Sequence, residues 1–413
     1  MPRSPDKGEL FECRVARLIA AEGAFVRRRI NLDAQFGERF TITDVDVLSF
    51  GFSATLELRK AAGECKTTDA KNAPSIGDRL LWSAGLARIV NADRTFVAVA
   101  KGARESERNL ASLVGCELLD KRDIERREAV LGIAPTDPYG PHDPRLSRFR
   151  DGAKDLAKSD EDIRRLHRFV ISELWLSPPI PALKKALGAA RKLGERWSLE
   201  LPETEKGAVE WLFTETVLGA IVALVQLAGL GYRQPEDVLA RYLHERLAEG
   251  LADYRALREI SRQVDKVVTA MLPRLGVDPA RSVEAIGFFE PKPPSYVEPL
   301  TELVERLARQ PAATAQLARL ADARYALYLG ADGSVEPQLG DVRAASRLLR
   351  LVATFLRGQV RVPETLLEPL FQTSDGRGPP EEEPSNGKGS PDGAGDASHS
   401  LFEEAGRAGR EHN

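Results

Sequence analysis

The chain has 413 residues, a net charge of −3, 42% apolar residues and three cysteines. Its length and apolar content predict two or three domains with real cores, and Cys13, Cys65 and Cys116 are too far apart for a disulfide framework or a zinc site, as expected of reduced cytoplasmic thiols. Nine acids against four bases in 372–413 leave the remainder near about +2, which excludes whole-chain steering towards nucleic acid and requires any DNA contact to come from a local basic face.

The first residues carry no apolar core, so no secretory signal is expected. From 7 to 22 the spacing of Phe11, Val15, Leu18 and Ile19 predicts an amphipathic helix capped by Asp6, with Glu12 bordering its apolar stripe. Gly23 ends that helix and Ala24, Phe25 and Val26 open a strand. Arg27, Arg28 and Arg29 follow on it; they alternate faces and cannot form one patch by themselves.

The stretch 41–68 then predicts two paired strands. The first carries Asp44 and Asp46, a turn follows at Gly51, Phe52 and Ser53, and the second ends in Glu64, Cys65 and Lys66. Aspartate is disfavoured in strands, and a buried charge is tolerated when paired or bound to metal. Alternation sends Glu64 and Lys66 to one face and Cys65 to the other, so pairing of the strands would let Asp46, Glu64 and Lys66 converge. Two carboxylates and a carbonyl such as that of Cys65 suit Mg²⁺, which prefers oxygen ligands and keeps several waters. The bland reading of the same residues is an exposed strand pair with ordinary surface charges. Alternation cannot choose between Asp44 and Asp46. Asp46 is preferred because it lies deeper in the apolar run, next to Val45, Val47 and Leu48.

After a polar loop at 67–77, Asp78 is expected to cap a helix with Leu80, Leu81, Trp82, Leu86, Ala87 and Ile89 as its apolar positions, Trp82 reading as core rather than as a stacking platform. Arg79 and Arg88 lie on this helix. The near-continuous apolar run 95–100 predicts a strand covered on both faces. A helix over 105–115, a short strand over 116–119 and a charged helix from 120 to 128 complete this part.

The motif and the flanking order of elements resemble the PD-(D/E)xK nucleases, the restriction-endonuclease-like superfamily, over residues 7–130. The resemblance implies an α/β restriction-endonuclease-like core (αβββαβ). It implies that Asp46, Glu64 and the Cys65 carbonyl hold Mg²⁺ or Mn²⁺, that Lys66 activates water, and that Glu12 faces the metal site. The activity implied is metal-dependent phosphodiester hydrolysis, with DNA as the nucleic-acid partner and a homodimer as the form suited to double-strand cutting. One departure stands out: Ala61, Ala62 and Gly63 occupy the place where a bulky apolar residue usually precedes the glutamate, and glycine weakens a strand interior.

Turn formers crowd 131–150, read as a linker. Beyond it, 151–371 predicts an all-α region, with helices over 159–176, 181–197, 203–230, 235–275, 296–309, 311–329, 340–358 and 363–371. The apolar run 211–231 is interrupted by Glu215 and Gln226 and reads as a buried helix, with no membrane span. The five histidines are scattered, without metal-ligand spacing. The tail 372–413, rich in Gly, Pro, Ser and acids, is expected to be disordered. Two other readings compete with a nuclease: a catalytically inactive nuclease-fold protein that binds nucleic acid or protein, and a helical interaction protein whose α/β head is structural.

Overall fold

In the computed structural model the chain describes residues 6–36, 38–67, 74–198, 200–248, 254–275, 292–332 and 341–372, all within Met1–Gly378, one of two units into which the chain divides. The tail call falls almost wholly outside these residues, as does much of the 67–77 loop.

The N-terminal part is a mixed five-stranded sheet with helices. Helix α1 (Lys7–Ala21) is followed by β1 (Phe25–Phe36), β2 (Glu38–Phe52) and β3 (Leu58–Lys66), then α2 (Ile76–Ile89), β4 (Arg94–Val99), α3 (Glu105–Leu113), β5 (Cys116–Leu119) and α4 (Lys121–Val130). The strands lie in the order β1-β2-β3-β4-β5. The first three form an antiparallel meander, while β4 and β5 run parallel to β3, each reached through a helical crossover. Short turns suffice between antiparallel strands, whereas parallel neighbours need a crossover such as a helix.

Local chemistry sets the boundaries. Asp6 caps α1 by accepting from the Glu9 amide at 2.8 Å. The start of α2 corrects the sequence reading: Ser75, not Asp78, is the N-cap, and Asp78 at the third helical position returns the bond to complete a capping box. Ile76, Leu80, Ser83 and Leu86 face inwards. Trp82, expected in the core, is 42% exposed, and Leu81 and Ile89 are exposed with it. A helix apolar on most sides does not reveal its buried stripe from composition.

Gly63 is explained by its neighbour. It pairs with Val47 on one side and Phe96 on the other. A Cβ on Gly63 would fall 2.0 to 2.5 Å from the Phe96 ring atoms. The ring takes the place a side chain would have filled, so β3 keeps its pairing on both edges.

The region beyond is all-helical. Helix α5 (Ser147–Ser159) begins inside the stretch read as a linker and was not foreseen there, because proline-rich turns precede a helix whose buried stripe is only Ala153 and Ala157. Gly140, His142 and Asp143 in the same stretch are buried. The helix expected over 159–176 divides into α6 (Glu161–Arg168), a π-helical turn (Phe169–Glu173) and α7 (Leu174–Leu176), because Asp160 ends α5 and caps α6. Next come α8 (Pro179–Trp197) and α9 (Glu203–Arg233). The helix expected over 235–275 appears as α10 (Glu236–Ala248) and α11 (Tyr254–Met271). The last elements are α12 (Val297–Ala308), α13 (Pro311–Thr314), α14 (Leu317–Tyr328), α15 (Val342–Phe355) and α16 (Glu364–Phe371).

Helix α9 is long and apolar enough to cross a membrane, but 89% of its most apolar window is buried inside the protein, which makes it the axis of the helical core. That core is continuous with the sheet: Phe25, Leu48 and Phe50 join Trp175, Leu183 and Val217 in one cluster. Phe25, Phe50 and Trp175 form a triad with ring centroids 5.8 to 6.2 Å apart. On the opposite face, Val47, Cys65 and Phe96 pack with Val15, Leu18 and Ile19 of α1.

Candidate active site

The β2–β3 ladder closes at Val47 and Gly63. The next residues along each strand are Asp46 and Glu64, which therefore stand opposite each other where the ladder ends. Cys65 points into the α1 core, as alternation predicts, and its thiol is pushed well above the usual range by burial. Glu64 lies beside Val97 in the β3–β4 register and Lys66 beside Val99, on the face covered by α2 and α3.

The polar contacts tie these groups together. One oxygen of Asp46, Oδ2, accepts from the Cys65 amide at 2.7 Å. Lys66 Nζ lies 3.2 Å from Glu64 Oε1, and its side chain is 39% exposed. Arg79, in the first turn of α2, grips the same Oε1. The second oxygen, Oε2, is buried with no hydrogen-bond partner among the described residues. Burial, opposed by the Cys65 amide and Lys66 and reinforced by Glu12 and then Asp44, pushes the Asp46 carboxyl up to about 7.

Glu12 reaches this neighbourhood from α1. Its carboxylate accepts from Arg29 Nε at 2.7 Å, and Glu9 lies 3.5 Å from the same guanidinium. Arg29 has φ +56°, a left-handed conformation rare for a side chain other than glycine or asparagine. Such outliers persist where their surroundings fix them, and here two carboxylates of α1 do so. Asp44 is exposed, in contrast to the half-buried Asp46.

The structure pairs Lys66 with Glu64 and sets Asp46 on the Cys65 amide between them, and Glu12 lies close enough to raise the Asp46 carboxyl. The sequence reading foresaw neither the Arg79 contact with Glu64 nor the Arg29 contact with Glu12. The Arg79 contact could have been anticipated, because a parallel crossover from β3 returns the first turn of α2 beside the end of that strand. The Arg29 contact depends on one backbone angle that no residue pattern announces.

These residues can be tested against a hard divalent cation. An unpartnered buried oxygen on Glu64, a half-buried Asp46 with one oxygen used, and crowding by Glu12 and Asp44 are what a cation would relieve. Among the described residues no three His, Cys, Asp or Glu side chains converge as a metal cage. Asp46 and Glu64 offer carboxylate oxygens, the hard donors that Mg²⁺ takes, rather than the His and Cys ligands usual for zinc.

Comparison of the chain with protein-family models, with curated proteins and with solved structures finds no match.

Proposed function

We propose that the protein is a metal-dependent nuclease with a restriction-endonuclease-like core, hydrolysing phosphodiester bonds in DNA. The observation that supports this reading is that Asp46 accepts from the Cys65 amide at the end of the β2–β3 ladder, while Lys66 and Arg79 share one oxygen of the neighbouring Glu64. A sheet whose packing alone governed these positions would not need a buried glutamate paired with a lysine next to a half-buried aspartate.

Asp46, the free oxygen of Glu64 and the Cys65 carbonyl would hold Mg²⁺ or Mn²⁺. When bound, the ion would polarise the phosphate and stabilise charge building on it during in-line attack. Lys66, held by Glu64 and open to solvent, orients a water and offers or takes its proton. Arg79 fixes the Glu64 carboxylate so that Oε2 keeps its direction, which makes it a positioning residue. Glu12, itself held by Arg29, adds negative charge beside Asp46 and favours a cation there. Under the competing reading the same face binds nucleic acid or protein without cutting it.

The test is cleavage of plasmid, linear, modified and single-stranded DNA by purified protein with Mg²⁺ or Mn²⁺. Cleavage that stops on adding EDTA and returns with excess metal is expected. Intact substrates of every kind with both ions would overturn the reading, and binding without cleavage would favour the competitor.

A further inference from the structure

A second site lies beyond the candidate active site, where the Arg27–Arg29 segment of β1 meets the helical region. A cavity of about 340 Å³ opens there, walled by β1, the 3-10 turn Gly140–His142, α5, α6 and α9. Among the described residues, apart from Arg27 Nε, which is ion-paired with Glu215 at 3.0 Å, four buried side-chain atoms on its wall have no hydrogen-bond partner: Arg28 Nη1, His142 Nε2, His167 Nε2 and Thr214 Oγ1. His142 is 3% exposed and Thr214 likewise buried, so bulk water does not serve them. Buried polar groups are nearly always satisfied, and four orphans converging on one space point to a missing polar partner.

The charges specify its sign. Arg27 is matched by Glu215 and Asp322, and Arg29 by Glu12 and Glu9. That leaves Arg28 and Arg150 as the excess cations of the wall, with Lys154 exposed at the rim. Arg150 donates to the carbonyls of Arg28 and Arg29 at 3.2 and 2.7 Å, which holds the three guanidinium-bearing residues together. Burial, reinforced by Arg29 and Arg28 and opposed by Glu215 and Asp151, lowers Arg150 to about 10. The remaining acids of the lining, Asp44 and Asp151, are exposed.

The wall also carries aromatic rings. Trp211 of α9 and His167 of α6 stand with ring centroids 6.2 Å apart, tilted by 44°. An inorganic anion alone would leave these rings uncontacted.

From this arrangement we infer that the cavity binds a nucleotide, its phosphate against Arg28, His142 and Thr214 and its base beside Trp211 and His167. The ligand could be a free nucleotide or one nucleotide of a nucleic-acid strand, and both offer the same chemistry to the wall. The inference does not rest on cleavage.

Isothermal titration of the full chain without metal tests it, using inorganic phosphate, the four deoxynucleoside 5′-monophosphates and a 5′-phosphorylated single-stranded hexanucleotide. At least one nucleotide ligand should bind tenfold or more tighter than phosphate, since stacking on one aromatic side chain is worth roughly that factor. A tighter mononucleotide identifies the free ligand as the source, and a tighter hexanucleotide identifies the strand. Arg28→Met should weaken binding about tenfold or more by removing a charge-assisted donor. Thr214→Val, nearly isosteric, should weaken it several-fold while leaving the melting temperature unchanged or higher, because it removes an orphaned hydroxyl. Absence of binding at millimolar ligand, equal affinity for phosphate and every nucleotide ligand, or wild-type affinity in both variants would overturn the inference. Failure here leaves the cleavage reading untouched, because no metal and no turnover enter the measurement.

Discussion

Two clusters of carboxylates and cations sit close together on this sheet, and they differ in how completely their charges are closed. At Arg27 the guanidinium is bidentate to Asp322 at 2.8 and 2.9 Å, reaches Glu215 at 3.0 Å, and lies over the Phe25 ring at 4.3 Å. At the end of the β2–β3 ladder Asp46 keeps one oxygen without a bond from the Cys65 amide, and Glu64 keeps Oε2 unpartnered among the described residues. Both clusters join distant parts of the chain. The closed one needs nothing further and fastens sheet to helices, whereas the open one retains acceptor capacity in a half-buried place where that capacity is costly. Incomplete closure, rather than the presence of charge, separates a candidate site from a structural ion cluster.

Removing the centre of the closed cluster should have the largest effect. Arg27→Ala leaves Glu215 and Asp322 buried without their cation, and breaking a buried pair in this way costs about 3–5 kcal/mol. Equilibrium urea unfolding checks it, and a loss below about 1 kcal/mol would mean that the cluster is not closed as described. Lys66→Ala at the open cluster should instead lower metal-dependent cleavage by ~10²-fold or more, with the urea midpoint nearly unchanged. Equal loss of stability at both positions would erase the contrast.

A smaller effect sharpens the comparison through pH. The Asp46 carboxyl is raised from an ordinary 3.8 to about 7. A raised folded value means that the stability given by the neutral form is fully present below about pH 4 and is lost as pH rises through about 7. Asp46→Asn mimics the neutral form, so without metal it should melt about 1–3 °C above the parent at pH 8 and at the same temperature at pH 4. A higher melting temperature at pH 4 but not at pH 8 would reverse the sign and refute the account. Calorimetric Mn²⁺ titration gives the finest contrast. Asp46→Asn should abolish binding, while Asp44→Asn, at an exposed position, should change affinity by less than about threefold.

How much of this could be read from residues alone varies by element. Alternation is not kept throughout, since Val45 packs in the core shared with the helices and Val47 in the core under α1, but the meander was legible from its β-prone runs. The face of α2 was not, since Leu81, Trp82 and Ile89 are as apolar as the residues that face inwards. Helix α5 was hidden by the prolines before it. The Arg27 cluster joins positions about 190 and 295 apart in sequence, and no local pattern connects Arg27 with Glu215 or Asp322. Expecting alternate faces for the three arginines was sound for strand geometry but did not reveal that Arg27 turns towards the helices while Arg29, with its left-handed backbone, turns back to α1.

The continuity of the core from Phe25 and Phe50 into Trp175 and α9 bears on how the chain would come apart. Cooperative units follow shared apolar contacts rather than secondary-structure class. Sheet and helices should therefore lose hydrogen-exchange protection together, and a fragment ending near residue 130 would present the Phe25–Leu48–Phe50 surface to water as an aggregation-prone face. The α/β part is thus not a transplantable module: the helices beyond it form one wall of its interior.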